Sequence, residues 1–267
     1  MDQTQDCPIV RYRDGKILRT SDTVTIEARI ELDINDGRQQ LAMLCTPADL
    51  EALAAGFLFD EGVLRGREDL QSVQVAPDGR RVLVRGDFDT DALEDLTSSW
   101  TWGTGCGRGG TRHDVNAPAQ GAIADGPVVS AEALLELARQ FQARTELWRR
   151  TGGVHACALA SADGIVHFAE DVGRHNAFDK VIGKAVLAGE TIGDKLMLTT
   201  GRISAEIVAK ATAAGLGILA SRGAVTSLAA ALARRSGLTL VGFLRGRRLN
   251  VYTAPERIAR PNEEDRP

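Results

Sequence analysis

From Ser130 onward, short apolar runs alternate with segments of helical period, which predicts an α/β layer on a largely parallel sheet. Ahead of it, two hairpin signals and one amphipathic helix predict a smaller N-terminal α+β subdomain. The glycine-rich stretch between them follows neither period. The boundaries read as 1–104 for the subdomain, 105–128 for a mobile glycine-rich loop and 129–267 for the α/β domain.

In the first part, residues 24–32 alternate by side as a half-buried strand should, and Asn35-Asp36-Gly37 turns the chain back into a strand over 40–45. Thr46 is placed to N-cap a helix whose first turn holds Pro47. Leu50, Leu53, Ala54, Phe57 and Leu58 then share one helical face, and Gly62 ends it. Strands over 73–75 and 82–84 flank the turn Pro77-Asp78-Gly79. Between Gly103 and Pro127 regular pattern disappears, and a loop of that length is usually functional or a linker.

Ser130 caps a long helix whose predicted face is Leu134, Ala138, Phe141 and Trp148, closed by Gly152-Gly153. Strands over 154–160 and 165–169 follow, joined by Ala162-Asp163-Gly164. A helix over 174–187, a strand over 195–200, a helix over 204–214 and a strand over 218–221 come next. A helix over 226–235, a strand over 238–244 and an extended piece over 250–253 complete the pattern, and the charged tail from Arg260 is expected to fray.

Bulk properties exclude several classes. A chain of 267 residues with 43% hydrophobic and 25% charged residues has enough apolar material for a sizeable core. Net charge is -4 and aromatic content 4%, so neither a global basic field nor an aromatic platform for nucleic acid is expected. The polar N-terminus has no secretory apolar segment, and no apolar run is long enough for a membrane span. Cys7, Cys45, Cys106 and Cys157 form no C-x-x-C pair and no secreted disulfide pattern, so a cytoplasmic protein is expected.

Four groups of residues could carry chemistry. Cys106 sits among glycines, with Arg108 and Arg112 to favour its thiolate, and such a thiolate can take up sulfur as a persulfide. Glu170-Asp171-Val172-Gly173-Arg174-His175-Asn176-Ala177-Phe178-Asp179-Lys180 follows a strand and opens a helix. Open α/β sheets place ligands there, and Arg174, His175, Lys180 and helix-start N–H groups suit a phosphate or pterin-like ligand. A purely structural alternative makes Asp171 an N-cap and pairs Asp179 with Lys184. Arg202 and Ser204 repeat the placement after the next strand, Ser204 also being a natural N-cap. Phe243-Leu244-Arg245-Gly246-Arg247-Arg248 follows the last long strand, where three arginines can grip a nucleotide's phosphates. His155 and Cys157 share a strand face, but no glutamate and no P-C-x-x-C accompany them, which argues against a zinc deaminase.

Together these stretches resemble the formate dehydrogenase accessory protein family (FdhD-like), sulfur carriers that act on the molybdenum cofactor. The similarity runs through Thr46-Pro47-Ala48-Asp49-Leu50, Gly56-Phe57-Leu58, Glu61-Gly62 and Thr151-Gly152-Gly153-Val154-His155-Ala156. It continues through the Glu170 to Lys180 run, Gly201-Arg202-Ile203-Ser204 with Glu206 and Lys210, and Gly242-Phe243 with Arg245, Asn250 and Tyr252. The resemblance implies a cytidine-deaminase-like layered fold without zinc, a homodimer, and a sulfurtransferase role with Cys106 as the catalytic persulfide carrier. A cysteine desulfurase would donate the sulfur, and molybdenum bis(molybdopterin guanine dinucleotide) would receive it for formate dehydrogenase. It also implies that the segment Phe243, Leu244, Arg245, Gly246, Arg247 and Arg248 binds that cofactor. In one respect the chain departs from the family: the usual C-G-x-C-G reads Cys106-Gly107-Arg108-Gly109-Gly110 here, with Gly109 in place of the second thiol. A cofactor-binding chaperone without sulfur chemistry is therefore the alternative function.

Overall fold

A computed structural model describes residues 1–96, 123 and 126–259, together with the backbone of 101–102 and 110–111. The chain opens with a hairpin that the sequence reading missed, β1 (Thr4–Arg13) and β2 (Lys16–Thr25). Asp14 and Gly15 at its turn both have positive φ, 51° and 72°, the conformation that matches the twist of a two-residue hairpin. Its outer half is solvated on both sides, with Tyr12 75% exposed, so no burial alternation marks it in the sequence.

β3 (Ala28–Ile34) and β4 (Gln39–Cys45) form the next hairpin, so the single strand expected over 24–32 is broken between Thr25 and Ala28. α1 (Leu50–Asp60), β5 (Leu70–Val75) and β6 (Arg81–Gly86) complete a small sheet of order β4-β3-β6-β5, in which β3 and β6 run parallel. Ile30, Leu32, Ile34, Val82 and Val84 point from this sheet into a shared core with Leu53 and Leu58 of α1. α2 (Thr90–Asp95) follows, N-capped by Asp89, and then the short pair β7 (Thr101–Trp102) and β8 (Gly110–Thr111).

The second unit begins with β9 (Val129–Ser130) and α3 (Ala131–Arg144), whose first turn is capped as expected, Ala133 N donating to Ser130 Oγ at 3.0 Å. The helix does not run on to Trp148. It breaks at buried Thr145 and restarts as α4 (Glu146–Thr151), leaving Trp148 exposed rather than on the face of Leu134 and Phe141. β10 (His155–Ser161), β11 (Gly164–Asp171), α5 (Arg174–Ala188), β12 (Leu196–Thr199) and α6 (Ala205–Ala213) follow. β13 (Ile218–Ser221), α7 (Ser227–Ser236), β14 (Thr239–Arg245), β15 (Arg248–Thr253) and the short β16 (Ile258–Ala259) close the chain.

These strands form a six-stranded sheet of order β11-β10-β12-β13-β14-β15. β12, β13 and β14 are parallel, while β10, β11 and β15 run antiparallel to their neighbours. Alternating residues feed two cores. Cys157, Leu159, Met197, Leu219 and Leu240 face α5, α6 and α7, and through α5 join the core of the small sheet. Ala156, Ala158, Leu198, Ala220 and Val241 face Leu134, Leu137 and Phe141 of α3. Among the described residues no helix is long and apolar enough to cross a membrane.

Two devices lock the small sheet onto the large one. α1 and α5 cross backbone to backbone at a glycine pair. A Cβ on Gly56 would lie 1.8 Å from Asp179 O, and one on Gly183 would lie 1.8 Å from Ala52 O. Beside the crossing, Lys180 Nζ pairs with Asp171 Oδ2 at 2.6 Å with neither side chain exposed, and donates to Thr46 O at 2.9 Å. Asp171 accepts further from Thr46 N at 3.0 Å, Gly173 N at 2.8 Å and Asn176 Nδ2 at 3.0 Å. A buried ion pair persists only when its remaining lone pairs and protons are bonded in this way.

This network corrects three expectations. Thr46 is not the cap of α1, whose N-cap is Asp49 at φ 51°; instead Thr46 Oγ1 accepts from Val172 N at 3.2 Å. Asp171 is not the cap of α5, a position held by Gly173. Asp179 does not pair with Lys184. It binds Lys210 at 2.6 Å beneath α1, while Lys184 reaches Asp49 at 2.8 Å. Asp60 lies 3.6 Å from the same Lys210, and burial holds its carboxyl well above the usual carboxylate range.

Candidate functional site

The carboxyl ends of β12, β13 and β14, the start of β10 and the end of β11 meet at one edge of the sheet. Open α/β sheets bind ligands at such an edge. The turns leaving β12 and β13 are stitched together there. Ser221 Oγ donates to Gly201 O at 2.6 Å and accepts from Gly223 N at 2.8 Å, and Arg222 N donates to Thr199 O at 3.1 Å. A Cβ on Gly223 would lie 3.1 Å from Gly201 O, so glycine permits this approach.

The edge holds a cavity of about 470 Å³ whose wall includes Gln142, Trp148, His155, Thr200, Arg222 and Arg245. That volume is within the range of small-molecule clefts. Among the described residues no carboxylate lines it, so its field is set by Arg222 and Arg245. Arg245 is steadied by Phe243, the guanidinium lying 5.5 Å from the ring centroid. Phe243 has φ 51°, an uncommon conformation for a bulky side chain, and its N–H donates to Gly223 O at 2.9 Å. The backbone is thus held in a sparsely populated region where β14 meets the cavity.

Behind the cavity wall lies a polar cluster. His175 Nε2 is 2.9 Å from Glu206 Oε2, and Arg174 Nη2 is 3.9 Å from the same oxygen, all three side chains being largely buried. Arg174 packs on Gly201, where a Cβ would come within 3.1 Å of its own Cβ. His155 Nδ1 lies 3.4 Å from Thr200 Oγ1. Burial, and then the charges of Arg174 and His175, push the His155 pKa below its ordinary value. A neutral imidazole therefore lines the same cavity as Arg222 and Arg245.

The residues singled out from the sequence fall into distinct places. Arg245 lines the cavity, and Phe243 supports it. Gly246, Arg247 and Arg248 are exposed on the β14–β15 turn, and Leu244 is buried in the core under α3. Arg174 and His175 form the cluster behind the wall, while Asp171, Asn176, Asp179 and Lys180 of the same run serve the scaffold. Arg202 is exposed, and Ser204 is a buried N-cap of α6 whose hydroxyl makes no capping bond. Cys106 lies outside the described residues.

Gln142, Trp148 and Arg222 were missed. Arg222 follows a strand just as Arg202 does, and that position was the available signal; Gln142 and Trp148 reach the cavity from either side of the break at Thr145, which spacing alone does not reveal. The described cysteines bear on the thiol chemistry. Burial pushes Cys45 and Cys157 up to about 12, leaving about 10⁻⁵ of each as thiolate at neutral pH. Cys157 also donates to Thr199 Oγ1 at 3.3 Å, which ties its thiol into the core.

The fold and cavity define an α/β protein with a cleft at the carboxyl edge of its parallel strands that, among the described residues, is lined by two arginines and no carboxylate. The chain belongs to the FdhD/NarQ family, whose pattern matches residues 25–259. A sulfur carrier protein FdhD from Wolinella succinogenes is 37% identical, the match spanning 94% of this chain and 87% of that one. Another from Streptomyces coelicolor is 38% identical across 96% of each. The crystal structure of a formate dehydrogenase accessory protein from Desulfotalea psychrophila matches with a TM-score of 0.82 at 30% identity, covering 97% of this chain and 100% of that one.

Proposed function

We propose that this protein is a sulfur carrier for formate dehydrogenase. In this reading Cys106 accepts sulfur from a cysteine desulfurase as a persulfide. Its thiolate attacks the outer sulfur of the donor persulfide, the donor S–S bond breaks, and the donor leaves as a thiolate. The cargo is the molybdenum bis(molybdopterin guanine dinucleotide) cofactor, whose phosphates would meet Arg245 in the cavity, with Arg247 and Arg248 beside it. The protein would then act in the cytoplasm as a sulfurtransferase and as a homodimer, with the cytidine-deaminase-like layering its family resemblance implies.

The observation that carries this reading is the shared identity with proteins named sulfur carriers across nearly the whole chain. Two features support it. The cavity is cationic and holds no carboxylate among the described residues, as an anionic ligand requires. Cys45 and Cys157 are held as inert thiols in the core, so neither competes with Cys106 for sulfur. Gly109, standing where the family has its second thiol, favours the alternative of a cofactor chaperone without covalent sulfur chemistry.

The deciding experiment incubates the protein with a cysteine desulfurase and cysteine and weighs the Cys106 peptide by mass spectrometry. One added sulfur, together with loss of dehydrogenase maturation in Cys106→Ser, is the expected result. An unmodified peptide with normal maturation by Cys106→Ser would overturn the carrier role and leave the chaperone.

A further inference from the structure

The β1–β2 hairpin serves neither the core nor the cavity, yet its outer half is patterned. Residues directly opposite one another share a face of a two-stranded ribbon, as do alternate residues along each strand. The pairs Val10↔Arg19 and Tyr12↔Ile17 therefore lie on one face, and Arg11↔Leu18 and Arg13↔Lys16 on the other. The first face is an apolar strip, with Val10 50%, Tyr12 75% and Ile17 64% exposed, and the second is mainly cationic. We propose that this ribbon is a docking arm for an acidic protein surface around an apolar groove, and that the surface belongs to the apo-dehydrogenase that takes the cofactor. The proposal rests on the carrier reading above and names where the recipient enzyme would bind.

The charge of the arm opposes that of the whole chain. Residues 9–20 hold Arg11, Arg13, Lys16 and Arg19 against Asp14 alone, a net charge of +3 in a chain whose net charge is -4. Arg11 lies 3.4 Å from Asp22 and Arg13 lies 3.6 Å from Asp14, but both pairs are exposed and screened, so they hold these cations loosely. Charges of one sign on an open ribbon keep its edges from pairing with other strands. They do not account for Val10, Tyr12 and Ile17, whose exposure side by side favours burial against another surface. One partner that offers apolar contact to one face and carboxylates to the other satisfies both.

The root of the arm decides which protein that is. Thr4 and Thr25 face each other across the base of the hairpin, and both are tied to α4. Thr25 Oγ1 donates to Thr151 Oγ1 at 2.8 Å, and Arg150 Nη2 donates to Thr4 Oγ1 at 2.9 Å. A Cβ on Gly153 would lie 3.0 Å from Thr25 Oγ1, so glycine lets the base of the hairpin pass this close. The same helix carries Trp148 into the cavity wall, which Gly152 and Gly153 continue. Beyond that base, residues 9–13 and 16–20 span about 15 Å of solvated ribbon. An arm rooted at the cavity wall is placed to hold the protein that receives the contents of the cavity. In the carrier reading that protein is the dehydrogenase, whereas the desulfurase meets Cys106.

The test measures binding of the full chain to purified formate dehydrogenase lacking its cofactor, by biolayer interferometry at several salt concentrations. The wild type is expected to bind, with association slowing as salt rises. Arg13→Glu with Lys16→Glu is expected to slow association about 10-fold or more and to flatten its salt dependence. Tyr12→Ser with Ile17→Ser is expected to weaken binding about 30-fold through faster dissociation, the scale of losing an interface anchor, while the salt dependence stays. All four side chains are exposed, so the melting temperature should stay at the wild-type value and show that weaker binding is not unfolding. Wild-type affinity in both variants, or no binding by the wild type, would overturn the proposal. So would dehydrogenase binding that persists in Tyr12→Ser with Ile17→Ser while binding to the desulfurase, to a second copy of the chain or to phosphatidylglycerol vesicles is lost. Sulfur loading on Cys106 is measured separately in the wild type. Normal loading beside dehydrogenase binding that ignores the arm would reject this inference and keep the carrier role, and absent loading beside arm-dependent binding would do the reverse.

Discussion

Replacing Gly56 by alanine sets two effects of opposite sign against each other, and the structure decides between them. Helix propensity alone favours alanine over glycine in a helix interior by about 1 kcal/mol. The new Cβ, however, would lie 1.8 Å from Asp179 O and 2.8 Å from Gly183 N, both backbone atoms that cannot rotate away. Ordinary contact requires the helices to part by roughly 1.5 Å, which strips packing from both sides of the crossing. Overpacking of a fixed core typically costs about 1–3 kcal/mol, and here the obstacle is backbone, so a cost at the upper end and a net loss of about 2 kcal/mol after the propensity gain are expected. Gly183→Ala meets Ala52 O at the same crossing and is expected to cost about as much. Because one separation relieves both clashes, the double variant should cost clearly less than the sum of the singles. Urea denaturation followed by circular dichroism measures all four proteins. A stabilised Gly56→Ala, or strict additivity in the double variant, would refute the backbone-contact argument.

Three further outcomes follow from the buried groups. Lys180→Met leaves Asp171 in the core without its cation, at an expected cost of about 3–5 kcal/mol, and Asp171→Asn in the same chain should recover part of it; thermal unfolding of the two variants checks this. The His155 pKa is pushed down in the folded protein, so the unfolded chain takes up the proton first as pH falls. Stability is thus expected to drop as pH falls from the ordinary histidine value near 6.5 toward the lower folded value, and His155→Gln should flatten that limb of the stability–pH curve. Cys45 and Cys157 should resist alkylation at pH 8 in the native protein and react once it is unfolded in urea, as peptide mass spectrometry would show.

The α/β half was legible because each element carries its own period and punctuation. The strand at Ile218–Ser221 and the caps at Ser130 and Thr226 all lie where apolar runs and turn residues place them. Three features were hidden for physical reasons. The β1–β2 hairpin has no fully buried residue and its outer half is exposed throughout, so too little of it alternates to mark a strand. The break at Thr145 leaves an amphipathic pattern on either side, which reads as one helix from spacing alone. The Glu170 to Lys180 run looked like one ligand site, yet its charges serve separate ends, Asp179 among them holding Lys210 beneath α1. Glu170 fixes α4, Asp171 and Lys180 tie two sheets together, and Arg174 and His175 sit behind the cavity. Sequence proximity along a strand-to-helix turn does not distinguish these directions, because successive side chains leave the turn toward different neighbours.

Phe243 illustrates how a site can escape detection by screening. Its left-handed backbone costs roughly 1–2 kcal/mol for a residue with a side chain, and glycine would relieve it. The half-buried ring returns a similar amount through the surface it covers, about 1–2 kcal/mol for partial burial of an aromatic. Phe243→Gly should therefore change the melting temperature little while freeing the guanidinium of Arg245 to wander from the cavity. A survey that ranks positions by their effect on folding would score this position as silent, and only a ligand-binding screen would bring it to notice.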